Sequence, residues 1–119
     1  MLLSVFALAV SAAPISMAPA QADDQRVAYT EIAQSDYAAA EAKLARELRA
    51  HPYEPELMLN LAAVYAKTGR AQQARALYTR VLAQPQAEMG IAPNGSTWSH
   101  RVAQNGLRML DTSLQLSAR

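Results

Sequence analysis

The 119-residue chain contains no cysteine. That absence excludes disulfides, thiolate metal sites, a cysteine nucleophile and a lipidated cysteine behind an export signal. Histidine is almost as scarce. His51 and His100 are the two in the chain, and without an H-x3-H spacing or a cluster of Asp they offer no zinc ligand set. Neither lies in a G-x-S-x-G, and Ser99 and His100 are neighbours, which on a helix points their side chains apart, so no Ser–His nucleophile is expected. The four glycines never form the glycine-and-lysine pattern of a phosphate-binding loop. Acid is missing between Leu57 and Ala87, where Lys67, Arg70, Arg75 and Arg80 fall. The three arginines step five residues at a time, which spreads them around a helix instead of along one groove; solvated faces are predicted, and nucleic acid is not a predicted partner. The reading is of a protein that is not an enzyme, with no catalytic residues, no metal and no cofactor.

The one long apolar run spans Leu2 to Ala13. It is short and Ala-rich for a permanent span, and it leads through a Pro-containing stretch to Ala20-Gln21-Ala22 before Asp23-Asp24. Small residues at both ends of that tripeptide fit a signal peptidase, so residues 1–22 are read as a secretory signal cut between Ala22 and Asp23. No Lys or Arg precedes the run, which leaves the Met1 amine as the only positive charge there. The expected location is periplasmic or secreted, with no stable membrane span once the signal is removed. All charge then lies in the remainder, unevenly. Residues 23–56 hold eight acidic and four basic side chains and residues 57–119 hold two and seven, giving −4 and +5.

Against these absences stands a repetition. Ala40, Leu44, Arg46 and Leu48 recur as Ala74, Tyr78, Arg80 and Leu82, each shifted by 34 positions, the period of a helical-hairpin array. The clearest unit runs over residues 54–85. Pro55 suits a first helical position, and Leu57, Leu61, Val64 and Tyr65 share one face. Gly69 is placed to end that helix in the left-handed conformation. A second helix from Ala71 buries Ala74, Leu77, Tyr78, Val81 and Leu82 and ends at Pro85. The preceding unit, about 24–52, is a weaker copy. Tyr37, Ala40, Leu44 and Leu48 form the stripe of a helix capped by Ser35 or Asp36 and ended at His51-Pro52, while its partner, about Asp24 to Gln34, offers only Val27, Ala28 and Ile32. After Pro85 the repeat stops. Residues 86–96, with Gly90, Pro93 and Asn94-Gly95, read as a loop. Ser96 or Thr97 caps a closing helix over 97–111, in which Trp98, Val102, Leu107 and Leu110 face the core and Gly106 permits close approach; 112–119 reads as a tail.

The second unit resembles a tetratricopeptide repeat. The pattern W-x2-L-G-x2-Y, A-x3-F, P is met by Met58, Leu61, Ala62, Tyr65, Ala74, Tyr78 and Pro85, with Met for Trp, Ala for Gly and Tyr for Phe. Ala28, Ala40, Leu44 and Pro52 echo it in the first unit, where Glu31 stands in place of Tyr65. The resemblance covers residues 24 to 85 and implies an all-α fold of about two stacked hairpins with a capping helix. The whole chain looks like small exported bacterial proteins of this family.

The same resemblance implies a function. First helices of such hairpins line a concave groove that binds peptides or helices, so the groove residues implied are Arg26, Tyr29, Ile32, Glu56, Leu59, Asn60, Ala63 and Lys67, and the partner is a protein or peptide. Some relatives grip a terminal carboxylate with Lys, Arg and Asn. Here Arg26, Asn60 and Lys67 are available, but Tyr29 takes a place where such clamps use Asn, and plain solvated side chains are preferred. The alternative is a self-associating structural protein, a homo-oligomer assembled head to tail through its acidic and basic halves.

Overall fold

The computed structural model describes residues 28–91 and 95–118. The signal, its cut between Ala22 and Asp23, and Arg26 and Val27 lie outside the described residues. Among the described residues five helices and one two-stranded hairpin follow in order: α1 (Tyr29–Ala33), α2 (Tyr37–Ala50), α3 (Pro55–Lys67), α4 (Ala71–Leu82), β1 (Glu88–Ile91), β2 (Gly95–Trp98) and α5 (Ser99–Ser117). The repeat body is all-α, as the resemblance implies.

Both hairpins turn on the same backbone device. Gly69 ends α3 with φ 76°, and the Arg70 N–H reaches back to the Tyr65 carbonyl at 2.8 Å, the six-to-one bond that satisfies a free carbonyl at a helix end. One period earlier Ser35 takes φ 59°, and the Asp36 N–H meets the Glu31 carbonyl, again at 2.8 Å. A side chain in that left-handed region costs about 1–2 kcal/mol, so the first turn keeps the shape of the second without its glycine. Of the two residues expected to cap α2, Asp36 does so: its Oδ1 accepts the Ala39 N–H at 3.3 Å. α2 stops at His51 because a residue before proline is pushed out of helical backbone. Pro55 opens α3 at its first turn.

α3 is the centre of the core. It packs on α2, α4 and α5, and buries Leu57, Met58, Leu59, Leu61, Ala62 and Val64. Ala62 and Ala74 are fully buried; small side chains there let the helix backbones approach. Their equivalents Ala28 and Ala40 are also fully buried. α1 is the slightest helix, in keeping with the few core residues its sequence offers. Ala28 is left-handed at φ 64° and therefore stands outside the helix, which runs only from Tyr29 to Ala33 and buries none of its own residues completely.

The chain after Pro85 departs most from the sequence reading. Residues 88–91 and 95–98 pair as antiparallel strands, Glu88 opposite Trp98 and Ile91 opposite Gly95, where a loop over 86–96 is predicted. The ladder is sealed by Ser99, which is fully buried. Its N–H donates to the Ala87 carbonyl at 2.8 Å, and its Oγ accepts the Ala87 N–H at 2.9 Å. Strand pairing holds Trp98 extended, so α5 starts at Ser99 and not at residue 97, and neither Ser96 nor Thr97 is its cap. Trp98 is 45% exposed, a strand terminus and not a core residue of the closing helix. α5 also outlasts its expected end at 111 and reaches Ser117; Arg75 pairs with Asp111 at 2.5 Å and the Thr112 hydroxyl donates to the Arg108 carbonyl at 3.0 Å. Residues 112–117 are thus helix, not tail. Gly106 has the predicted role, since a Cβ there would overlap the Tyr78 ring.

Candidate functional site

The surface implied for binding is built on α3, because a helix packed by three neighbours keeps only one narrow face free. Glu56, Asn60 and Ala63 are half-buried and Lys67 is exposed. Their spacing of four, three and four residues puts them in one row along the helix. Leu59, named with them, is 4% exposed and belongs to the core. It sits one position off the row, and the packing of α2, α4 and α5 on α3 leaves no room for a wider face. From the first hairpin, Tyr29 is 61% exposed and Ile32 is half-buried against the core, so Ile32 anchors α1 more than it lines a groove. Arg26 lies outside the described residues. The row on α3 therefore presents an acid, an amide, a small apolar step and a cation, in chain order, while Tyr29 stands exposed on α1.

The repeat-motif residues sit where the pattern demands. Met58, Leu61, Ala62, Ala74, Tyr78, Ala40 and Leu44 are buried, Tyr65 is half-buried, and Gly69 and Pro85 are exposed at helix ends. Burial pushes the Tyr78 phenol above its ordinary value, because the charged form is poorly solvated there.

Three arginines predicted to be merely solvated are tied to other elements. The Arg70 guanidinium grips Glu41 of α2 through both oxygens at 2.8 and 2.5 Å and lies 4.6 Å from the centre of the Tyr65 ring. That two-pronged hydrogen bond holds the Glu41 carboxyl below its usual range. The pair joins the acidic half of the chain to the basic half across the two hairpins. Arg75 pairs with Asp111, and Arg80 donates to the Pro52 carbonyl at 3.2 Å. A partner 29 residues away leaves no mark in local sequence.

The two histidines have separate settings. His51 is the C-cap of α2, and the His100 ring meets a main-chain carbonyl just past the end of α4: its Nε2 lies 2.7 Å from the Gln84 oxygen. Among the described residues no group of three His, Cys, Asp or Glu is placed to hold a metal ion.

Comparison with known families gives one result. The model of the tetratricopeptide repeat matches residues 31–89, the span from α1 through α4 into β1. The chain carries a tetratricopeptide-repeat segment. No curated protein and no solved structure matches the chain. Tetratricopeptide repeats are protein–protein interaction modules, and the row on α3 is the first-helix face of its better-formed repeat. No helix among the described residues is long and apolar enough to cross a membrane.

Proposed function

We propose that this protein is a non-enzymatic interaction module of the cell envelope, periplasmic or secreted, that receives a peptide or helix of a partner protein on the first-helix face of its repeats. The observation that carries the proposal is the row Glu56, Asn60, Ala63 and Lys67, the strip left uncovered on a helix otherwise given over to packing. Tyr29 extends it onto α1. A helix laid along such a strip meets Ala63 at the centre, where a small side chain permits close approach, and an acid and a cation at opposite ends that fix its direction. The localisation rests on the apolar run from Leu2 to Ala13 and the cut expected after Ala22.

The self-associating alternative draws on charge asymmetry between the two halves. Part of that asymmetry is consumed within one chain by Arg70 and Glu41, which favours the partner-binding reading. Affinity recovery of partners from envelope extract tests it. The triple substitution Tyr29→Ala, Asn60→Ala and Lys67→Ala abolishes recovery of the partners if the face is used; an unchanged set of partners refutes the assignment. N-terminal sequencing of the exported form gives Asp23 as its first residue.

A further inference from the structure

A second surface lies between the α2–α3 turn and the hairpin. There β1 and the start of α3 bound a cleft of about 510 Å³. Its lining combines the apolar side chains of Leu57 and Met89 with four carboxylates, Glu47, Glu54, Glu56 and Glu88. The chain has ten acidic residues in all, so four on one cleft is a concentration; His51 also lines it, and no Lys or Arg does. Arg46 approaches Glu47 at 3.9 Å, but Glu54 and Glu88 have no ion-pair partner among the described residues.

One wall of the cleft is a strand with an open edge. Ser99 bonds to Ala87 through the main chain, and the register pairs Glu88 with Trp98 and Gly90 with Ser96. Hydrogen-bonded and non-hydrogen-bonded pairs alternate in an antiparallel ladder. Glu88 and Gly90 therefore turn their N–H and C=O groups away from β2. Residues of β1 line the cleft and residues of β2 do not, so those groups face the cleft side. Such an edge is a template for an added strand.

We infer that this cleft docks a short, extended, basic segment of a partner polypeptide, which adds to the open edge of β1 and places a Lys or Arg side chain between Glu54 and Glu88. Charge complementarity selects the cation. The methylene stem of Lys or Arg covers Leu57 and Met89 while its head stays among the carboxylates, and the main chain supplies what Glu88 and Gly90 lack. Glu56 alone belongs to both this cleft and the face proposed above, so the inference is tested through Glu54 and Glu88. Glu54 precedes α3 without capping it through its side chain, and Glu88 is exposed on a strand; both tolerate Gln.

The test is titration of the 15N-labelled protein with the capped pentapeptide Thr-Lys-Val-Arg-Thr, followed by amide NMR. Glu88 and Gly90 amides shift and exchange more slowly on binding, and affinity falls at least about fivefold in the E54Q/E88Q double variant, the loss of charge-assisted bonds. The same peptide methylated on consecutive backbone amides binds at least about fivefold more weakly, because it cannot complete the edge. Three results overturn the inference: no binding at about 1 mM peptide, equal binding of the methylated peptide, or equal displacement by spermine, which would make the cleft an acidic patch open to any cation.

Discussion

Where the second hairpin has Tyr65, the first has Glu31, one period earlier. Tyr65 lies in the angle between α3 and α4 and supports the Arg70 guanidinium. Glu31 fills the corresponding angle with a carboxyl group that reaches Lys43 at 3.5 Å, and its Oε2 is buried with no hydrogen-bond partner among the described residues. The backbones of the two turns share the same left-handed residue and the same six-to-one bond. The difference lies in what the side chains bury: α3 contributes six buried residues and α1 none. A shared turn geometry fixes how two helices meet, but the apolar area behind it fixes how firmly. The first hairpin is the adjustable half of the array and the second is its base.

That contrast can be broken most forcefully in the core. Met58→Ala removes a fully buried side chain and lowers unfolding free energy by about 3 kcal/mol, whereas Ile32→Ala, on a half-buried residue, costs about 1 kcal/mol. Chemical denaturation measures both, and equal losses would erase the distinction between the hairpins. Next in size is the junction of the second hairpin with α5. Gly106→Ala forces a Cβ into the Tyr78 ring and costs about 2 kcal/mol, part of which the added substitution Tyr78→Leu restores.

The turns give a smaller effect of opposite sign in the two halves. Gly69→Ala destabilises by about 1 kcal/mol, and Ser35→Gly stabilises by about 0.5–1 kcal/mol, since both positions are left-handed and only glycine adopts that backbone freely. A destabilising Ser35→Gly would show that the serine side chain is needed there.

The smallest effect concerns the tie between the halves. Glu41 is held below its usual range by Arg70, so at pH values just below the ordinary Glu pKa of about 4.3 the unfolded chain binds a proton that the folded chain does not. Stability from this pair is full above that value and is lost as the pH falls through the lowered one. Glu41→Gln flattens this part of the acid profile in urea melts at successive pH values; an unchanged profile means that the pair contributes nothing measurable.

The helices of the second hairpin were legible because Leu61, Tyr65, Ala74 and Tyr78 carry their packing roles in type and spacing together. Other parts were not, for identifiable reasons. The strands are four residues long and contain Gly90 and Gly95, which leaves too few side chains for an alternating apolar signal, although Asn94-Gly95 is a dipeptide that favours hairpin turns. Trp98 moves with them, since a helix and a strand send it to different sides. Leu59 falls in the implied groove because one register alone does not reveal that α3 is covered on three sides. α5 outlasts its predicted end, and Leu114 continues the spacing of Leu107 and Leu110. Arg70 and Glu41 meet only because two hairpins stack, a fact of tertiary structure.

The uncovered strip of α3 is the proposed working surface. Site-specific photo-crosslinking tests it in the cell that makes the protein, with a photoreactive residue at Ala63, in the middle of the strip, or at Ala42, on the exposed face of α2. Discrete adducts with a partner protein are expected from position 63 and none from position 42. Adducts from position 42 alone, or the same adducts from both positions, would contradict it.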